Sequence, residues 1–182
     1  MPRTRMFARL CLAALPVALL SCGESGPAPS ASSGATPAPT DAGSTWLLAS
    51  SPQGATSVTD AKASAQEGDT VVIRGRIGGR RDPITGGSPV FTIVDLELPY
   101  CGQEVADGCG TPWDYCCETP DTISANSATV QVIDGAGSPI GDDLTSQGLS
   151  ALDEVVVVGL VAARPSDAVL TVRATGVYVA SE

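Results

Sequence analysis

Thr70-Val71-Val72-Ile73-Arg74-Gly75-Arg76-Ile77 decides how this chain is read. Apolar and polar side chains alternate along it, which is the period of a half-buried strand. Val71, Ile73 and Ile77 point to one face; Val72, Arg74 and Arg76 point to the other. Gly75 in the middle predicts a bulge or a tight bend. The stretch has an echo. Glu67-Gly68-Asp69-Thr70-Val71-Val72-Ile73-Arg74-Gly75 and Asp153-Glu154-Val155-Val156-Val157-Val158-Gly159 both read as an acidic turn, an apolar strand and a glycine.

Val90–Leu98, Ala128–Ile133, Val155–Val161 and Val169–Val179 have the same β character. A short helix is predicted over Ser57–Gln66, capped by Ser57, with Val58, Ala61 and Ala65 on one face. A second is predicted within Asp142–Leu152. Five short strands with a helix between the third and fourth match the OB-fold, a small Greek-key barrel. In that barrel the first and fourth strands are neighbours, which accounts for the echo. A β-sandwich would call for about seven strands. The expected fold is therefore all-β, a five-stranded OB-like barrel with one or two short helices. Its expected core is Val71, Ile73, Ile77, Ile93, Val130, Val132, Val156, Val158 and Val172.

The domain is expected to span 46–182. Before it, Gly23–Thr45 is Gly, Pro, Ala, Ser and Thr with only Glu24 and Asp41 charged, a composition with nothing to bury and expected to form a disordered linker. Residues 1–21 read as a secretion signal: Arg3, Arg5 and Arg9 precede the apolar run Leu10–Leu20. That run is shorter than the roughly 20 residues needed to span a bilayer core. Leu19-Leu20-Ser21-Cys22 resembles the bacterial lipobox. The resemblance implies a diacylated Cys22 thiol and cleavage before it. At roughly 0.8 kcal/mol per buried CH₂, two or three acyl chains would hold the protein on a membrane.

The formal charge is −10, and losing the three leader arginines takes it to about −13. So acidic a chain is repelled by phosphate backbones. It contains no histidine, and so lacks the commonest general base and metal ligand. Its chemistry gathers in the loop over 99–120, which holds Cys101, Cys109, Cys116 and Cys117. Three readings of these cysteines stand side by side. An even number of clustered cysteines in an exported chain reads as disulfides, Cys101 and Cys109 pairing with Cys116 and Cys117 in one of two crossings. Each would close a loop of about 10 to 15 residues, worth roughly 3 kcal/mol. A four-cysteine metal site is the second, opposed by the lack of a C-x₂-C knuckle and by the adjacency of Cys116 and Cys117. Thiol redox chemistry is the third, opposed by the lack of C-x-x-C and of a basic neighbour.

The same loop holds Tyr100, Trp113 and Tyr115 beside Glu104, Asp107, Asp114, Glu118 and Asp121. The plain account is a private mini-core of rings around the sulfurs with the acids solvated. The sharper one is a ligand or partner surface of Trp113, Asp114 and Tyr115 with Arg80 and Arg81 from the loop after the first strand. Arg80 and Arg81 occupy a position where OB-folds often bind oligonucleotides. Only Phe91 is at hand to stack a base, so nucleic acid is a minor alternative. Asp95 and Glu97, alternate residues of the second expected strand, are expected on one exposed face, and the arginines are expected to be solvated or paired with Asp82, Asp95 or Glu97.

The leading helix, GDTVVIRGRIGG (68–79), VFTIVDLEL (90–98), ATVQVID (128–134) and DEVVVVGLV (153–161) resemble exported bacterial OB-fold proteins. TPWDYCCE (111–118) with the upstream cysteines resembles a family of uncharacterised bacterial lipoproteins. The resemblance covers about 57–180 and implies fold and address, with no activity attached. The expected function is a non-enzymatic binding or structural module of the cell envelope, without cofactor, anchored to a membrane through Cys22 and meeting an envelope protein or small ligand. A metal- or thiol-dependent accessory protein using the four loop cysteines is the alternative.

Overall fold

The computed structural model describes residues 46–103 and 108–180. The expected signal sequence, Cys22, the 22–45 linker, Glu104 and Asp107 lie outside the described residues. Five strands close into one barrel: β1 (Thr70–Ile77), β2 (Val90–Val94), β3 (Ser127–Val132), β4 (Glu154–Val161) and β5 (Thr171–Val179). Their order around the barrel is β1-β2-β3-β5-β4, with β4 returning to β1. All neighbours are antiparallel except β3 and β5, which pair in parallel. This is the OB-like order. The echoing segments face each other across the seam, in a ladder running from Thr70↔Leu160 to Arg76↔Glu154.

Gly75 sits in regular register opposite Val155. No bulge forms there: β1 stays paired with β4 through Arg76↔Glu154 and gains β2 as a second neighbour at Arg76 and Ile77. A Cβ on Gly75 would lie 2.9 Å from the Val94 carbonyl oxygen. The register shift falls instead between Val158 and Gly159, against β5.

The apolar core joins Ile73, Ile77, Phe91, Ile93, Val130, Val132, Val155, Val157, Val172 and Val177. One part of the expected core is out of phase. In β4, Val155 and Val157 face the core cluster; of the expected Val156 and Val158, Val156 is buried but outside that cluster and Val158 is half-buried. Four consecutive valines carry no alternation, and a one-residue slip exchanges the faces. Val71 is only partly buried against the core.

The first helix, α1 (Val58–Ser64), begins as expected: the Asp60 N–H donates to Ser57 Oγ at 3.0 Å. Val58, Ala61 and Ala65 are all buried. The helix expected within Asp142–Leu152 does not form. That segment is a run of turns which drops Leu144 and Leu149 into the core. The second helix, α2 (Pro120–Asn126), lies before β3, started by a Thr119 cap and Pro120.

The second strand stops at Val94, four residues sooner than expected. Asp95 and Glu97 therefore share no strand face. Asp95 is 1% exposed and its carboxylate accepts from the Thr59 N–H (2.9 Å), the Thr59 hydroxyl (2.8 Å) and the Glu97 N–H (3.1 Å). Arg74 pairs with Glu154 of β4 rather than with Asp82, Asp95 or Glu97. Among the described residues no helix is long and apolar enough to cross a membrane.

Candidate functional site

The segment between β2 and α2 is seated on the barrel through Gly78 and Gly79, the two glycines that follow β1. The Gly79 N–H donates to the Trp113 carbonyl at 2.8 Å. A Cβ on Gly78 would lie 2.8 Å from that same carbonyl oxygen and 2.8 Å from Tyr115 Cε2. Trp113 Nε1 donates to the Arg81 carbonyl at 2.9 Å. Arg76 of β1 lies over the Tyr100 ring, 5.0 Å from its centroid, a cation–π contact. Tyr115 is fully buried, so it cannot belong to the surface expected of it. Its hydroxyl has no hydrogen-bond partner among the described residues, and burial raises its pKa.

The 3₁₀ turn Pro112–Asp114 ends at Tyr115, which adopts the left-handed conformation (φ 58°, ψ 34°). That single residue turns the chain so that Asp114 and Cys116, on either side of it, aim at the same place. Asp114 is fixed from two directions: the Thr111 hydroxyl donates to Oδ2 at 2.8 Å and the Cys116 N–H to Oδ1 at 2.9 Å. The Thr111 hydroxyl first, then Cys116 and Arg81, hold the Asp114 carboxyl below its usual range against the opposing effect of burial.

The sulfurs converge on this turn. Cys116 Sγ is 3.7 Å from Cys101 Sγ and 3.6 Å from Cys109 Sγ. A disulfide would bring two sulfurs to about 2.05 Å. No S–S bond joins Cys101, Cys109 and Cys116, and Cys116 stands almost equally far from the other two. The ligand atoms of Cys101, Cys109, Cys116 and Asp114 all lie within 4.8 Å of one another. Cys117 is not one of these four, but both its thiol and its backbone N–H, the latter at 3.3 Å, hydrogen-bond to Cys101 Sγ. Hydrogen bonding to Cys109 and Cys101, then the nearby Asp114, pushes the Cys116 thiol well above its usual value. Burial would raise Cys101 too, but hydrogen bonds from Cys117, Cys116 and Cys109 bring it below its usual value.

Of the other expected surface residues, Arg80 and Arg81 are exposed and Trp113 is half-buried. A cleft of about 370 Å³ opens beside Trp113, lined by Arg81, Pro83, Ile84 and Leu149 among others. Phe91 is 1% exposed inside the barrel and offers no face to a base. The residues that sequence reasoning missed are Gly78 and Gly79 as the seat of the loop and Thr111 as the partner of Asp114. The signal for the first was present: a Gly-Gly directly after a strand, where backbone must come close.

No family model matches the chain, and no curated protein matches it. Among solved structures, an aspartyl tRNA synthetase from Entamoeba histolytica is similar over 78% of this chain and 26% of its own, with a TM-score of 0.45 and 13% identity. The chain thus spans about a quarter of that protein's length.

Proposed function

We propose that this chain is a membrane-tethered, non-enzymatic module of the bacterial cell envelope, facing the periplasm or exterior. Lipidated Cys22 is its anchor, 23–45 its spacer, and the barrel the rigid support that presents the cysteine loop to a small ligand or an envelope partner. The observation that carries this reading is the division of labour within the domain. The barrel core is a continuous apolar cluster, while three sulfurs and Asp114 gather on one loop seated against Gly78 and Gly79; through Trp113 that loop also borders a cleft whose other walls are 81–84 and 145–151. A chain without histidine has few means of moving protons near neutral pH, which also favours binding over turnover.

The anchor is tested by metabolic labelling with a fatty acid. Wild-type chain should take up label and fractionate with membranes. Cys22→Ala should take up none and be left unprocessed or released in soluble form. Label entering the Cys22→Ala chain would sink the anchor.

A further inference from the structure

We propose that Cys101, Cys109, Cys116 and Asp114 form a four-ligand site for a borderline-soft divalent cation that favours tetrahedral geometry, the zinc class. The proposal deepens the reading of the loop as the place where this protein binds, and is independent of the lipid anchor.

The distances carry it. An ion bonded to sulfur at about 2.3 Å in a tetrahedron holds its ligand atoms about 3.8 Å apart. Two of the three sulfur pairs stand at 3.7 and 3.6 Å, and the third pair and the Asp114 oxygen fall in a set whose members lie within 4.8 Å. Three sulfurs with a carboxylate suit zinc-class ions. Magnesium and calcium favour all-oxygen sets. The adjacency of Cys116 and Cys117, which argues against a four-cysteine site, is no obstacle to this one. Only Cys116 of the pair enters the set, and Asp114 reaches it because Tyr115 is left-handed.

The surroundings are those of a ligand set held from outside. The Cys117 N–H supports Cys101 Sγ, and Thr111 and the Cys116 N–H orient the two oxygens of Asp114. Each carboxylate oxygen so engaged keeps a second lone pair for the ion. Four protein ligands leave no open position, so the ion would fasten the loop rather than activate water.

The test uses full-length protein extracted from membranes in detergent, with cobalt(II) as the probe. Titration of the reduced protein should give one cobalt per chain, with sulfur-to-cobalt charge transfer and the intense visible bands of tetrahedral cobalt, both bleached by zinc. Cys116→Ser and Cys109→Ser, on the exposed and half-exposed side of the cluster, should each weaken cobalt binding by more than the roughly 10–100-fold that an outer partner costs. Asp114→Asn should weaken it at least about 10-fold, and Cys117→Ser should leave it within a few-fold. Circular dichroism checks that each variant keeps its barrel.

Three results would overturn the proposal. One is no cobalt–sulfur band in the reduced wild type. Another is that the cysteines of extracted protein prove to be paired as cystines before any reductant is added. The third is a Cys117→Ser loss as large as that of Cys116→Ser with none in Asp114→Asn. The Cys22→Ala chain should bind cobalt as wild type does, so failure of the anchor and failure of the ion site are separately visible.

Discussion

Asp95 shows how one side chain fixes the path of the chain. The alternation of Val90–Leu98 makes Asp95 look like an exposed strand residue, yet it ends the strand and fastens it to α1 through Thr59. Burial alone would raise its carboxyl. The Thr59 N–H, the Glu97 N–H, the Thr59 hydroxyl and Ser57 outweigh that and leave it below its ordinary value. A carboxyl whose pKa falls on folding contributes stability above its unfolded pKa, and that contribution is lost as pH falls through the folded value. Denaturant titrations from neutral pH downward should therefore show wild type losing stability below about pH 4, the unfolded carboxylate range. Asp95→Asn should lose less across the same interval. At neutral pH, Asp95→Ala should cost about 2–3 kcal/mol, because hydrogen bonds to a buried charge are removed and the Thr59 donors are left unmet. An Asp95→Asn chain with the same acid slope as wild type would show that the slope belongs to another carboxylate.

At the scale of elements, the cysteine loop and the turn after β1 are one unit, though more than thirty residues separate Gly78 from Trp113. The four cysteines were legible by count and spacing. The convergence of three of them with Asp114 was not, because it depends on one left-handed tyrosine and on a seat elsewhere in the chain. Gly78→Ala isolates that seat. The added methyl would stand 2.8 Å from the Trp113 carbonyl and 2.8 Å from the Tyr115 ring, so the loop must lift. Overpacking of this kind costs roughly 1–3 kcal/mol. Trp113 emission should shift towards that of a water-exposed indole while the far-ultraviolet sheet signal stays. The shift should vanish in a Trp113→Phe background, since the chain's other tryptophan, Trp46, is 3% exposed in the core. An unchanged emission would mean that the loop is held by Arg76 on Tyr100 and the Trp113 indole bond without the glycine seat.

The whole molecule rests on closure, and closure is where sequence and structure agree best and also part. The echo between Thr70–Gly75 and Val155–Gly159 made the β1–β4 seam legible, because both strands carry the same apolar-run-then-glycine pattern. The parallel β3–β5 pairing left no such trace, since nothing local in ATVQVI or TVRATGV names a partner. The face of β4 was illegible for the opposite reason: every residue of VVVV suits the interior. The glycine that ends the run does fix something. At Gly159 the ladder with β5 shifts, and a Cβ there would collide with the Arg173 carbonyl oxygen and stand 2.8 Å from the Ala174 Cα. Both are backbone atoms of the neighbouring strand and cannot rotate away. An alanine at 159 must push β5 outward at the point where the sheet turns to meet β1 at Val71. The expected outcome for Gly159→Ala is a cooperative loss of about 3 kcal/mol or more, the upper end of overpacking, read as a lower midpoint in denaturant by circular dichroism and Trp46 emission together. Gly135→Ala, in a turn where a Cβ meets nothing within 4 Å, should stay within about 0.5 kcal/mol of wild type. Equal stability of the two variants would mean that β5 yields freely at the shift, and that closure is set by the β1–β4 ladder alone.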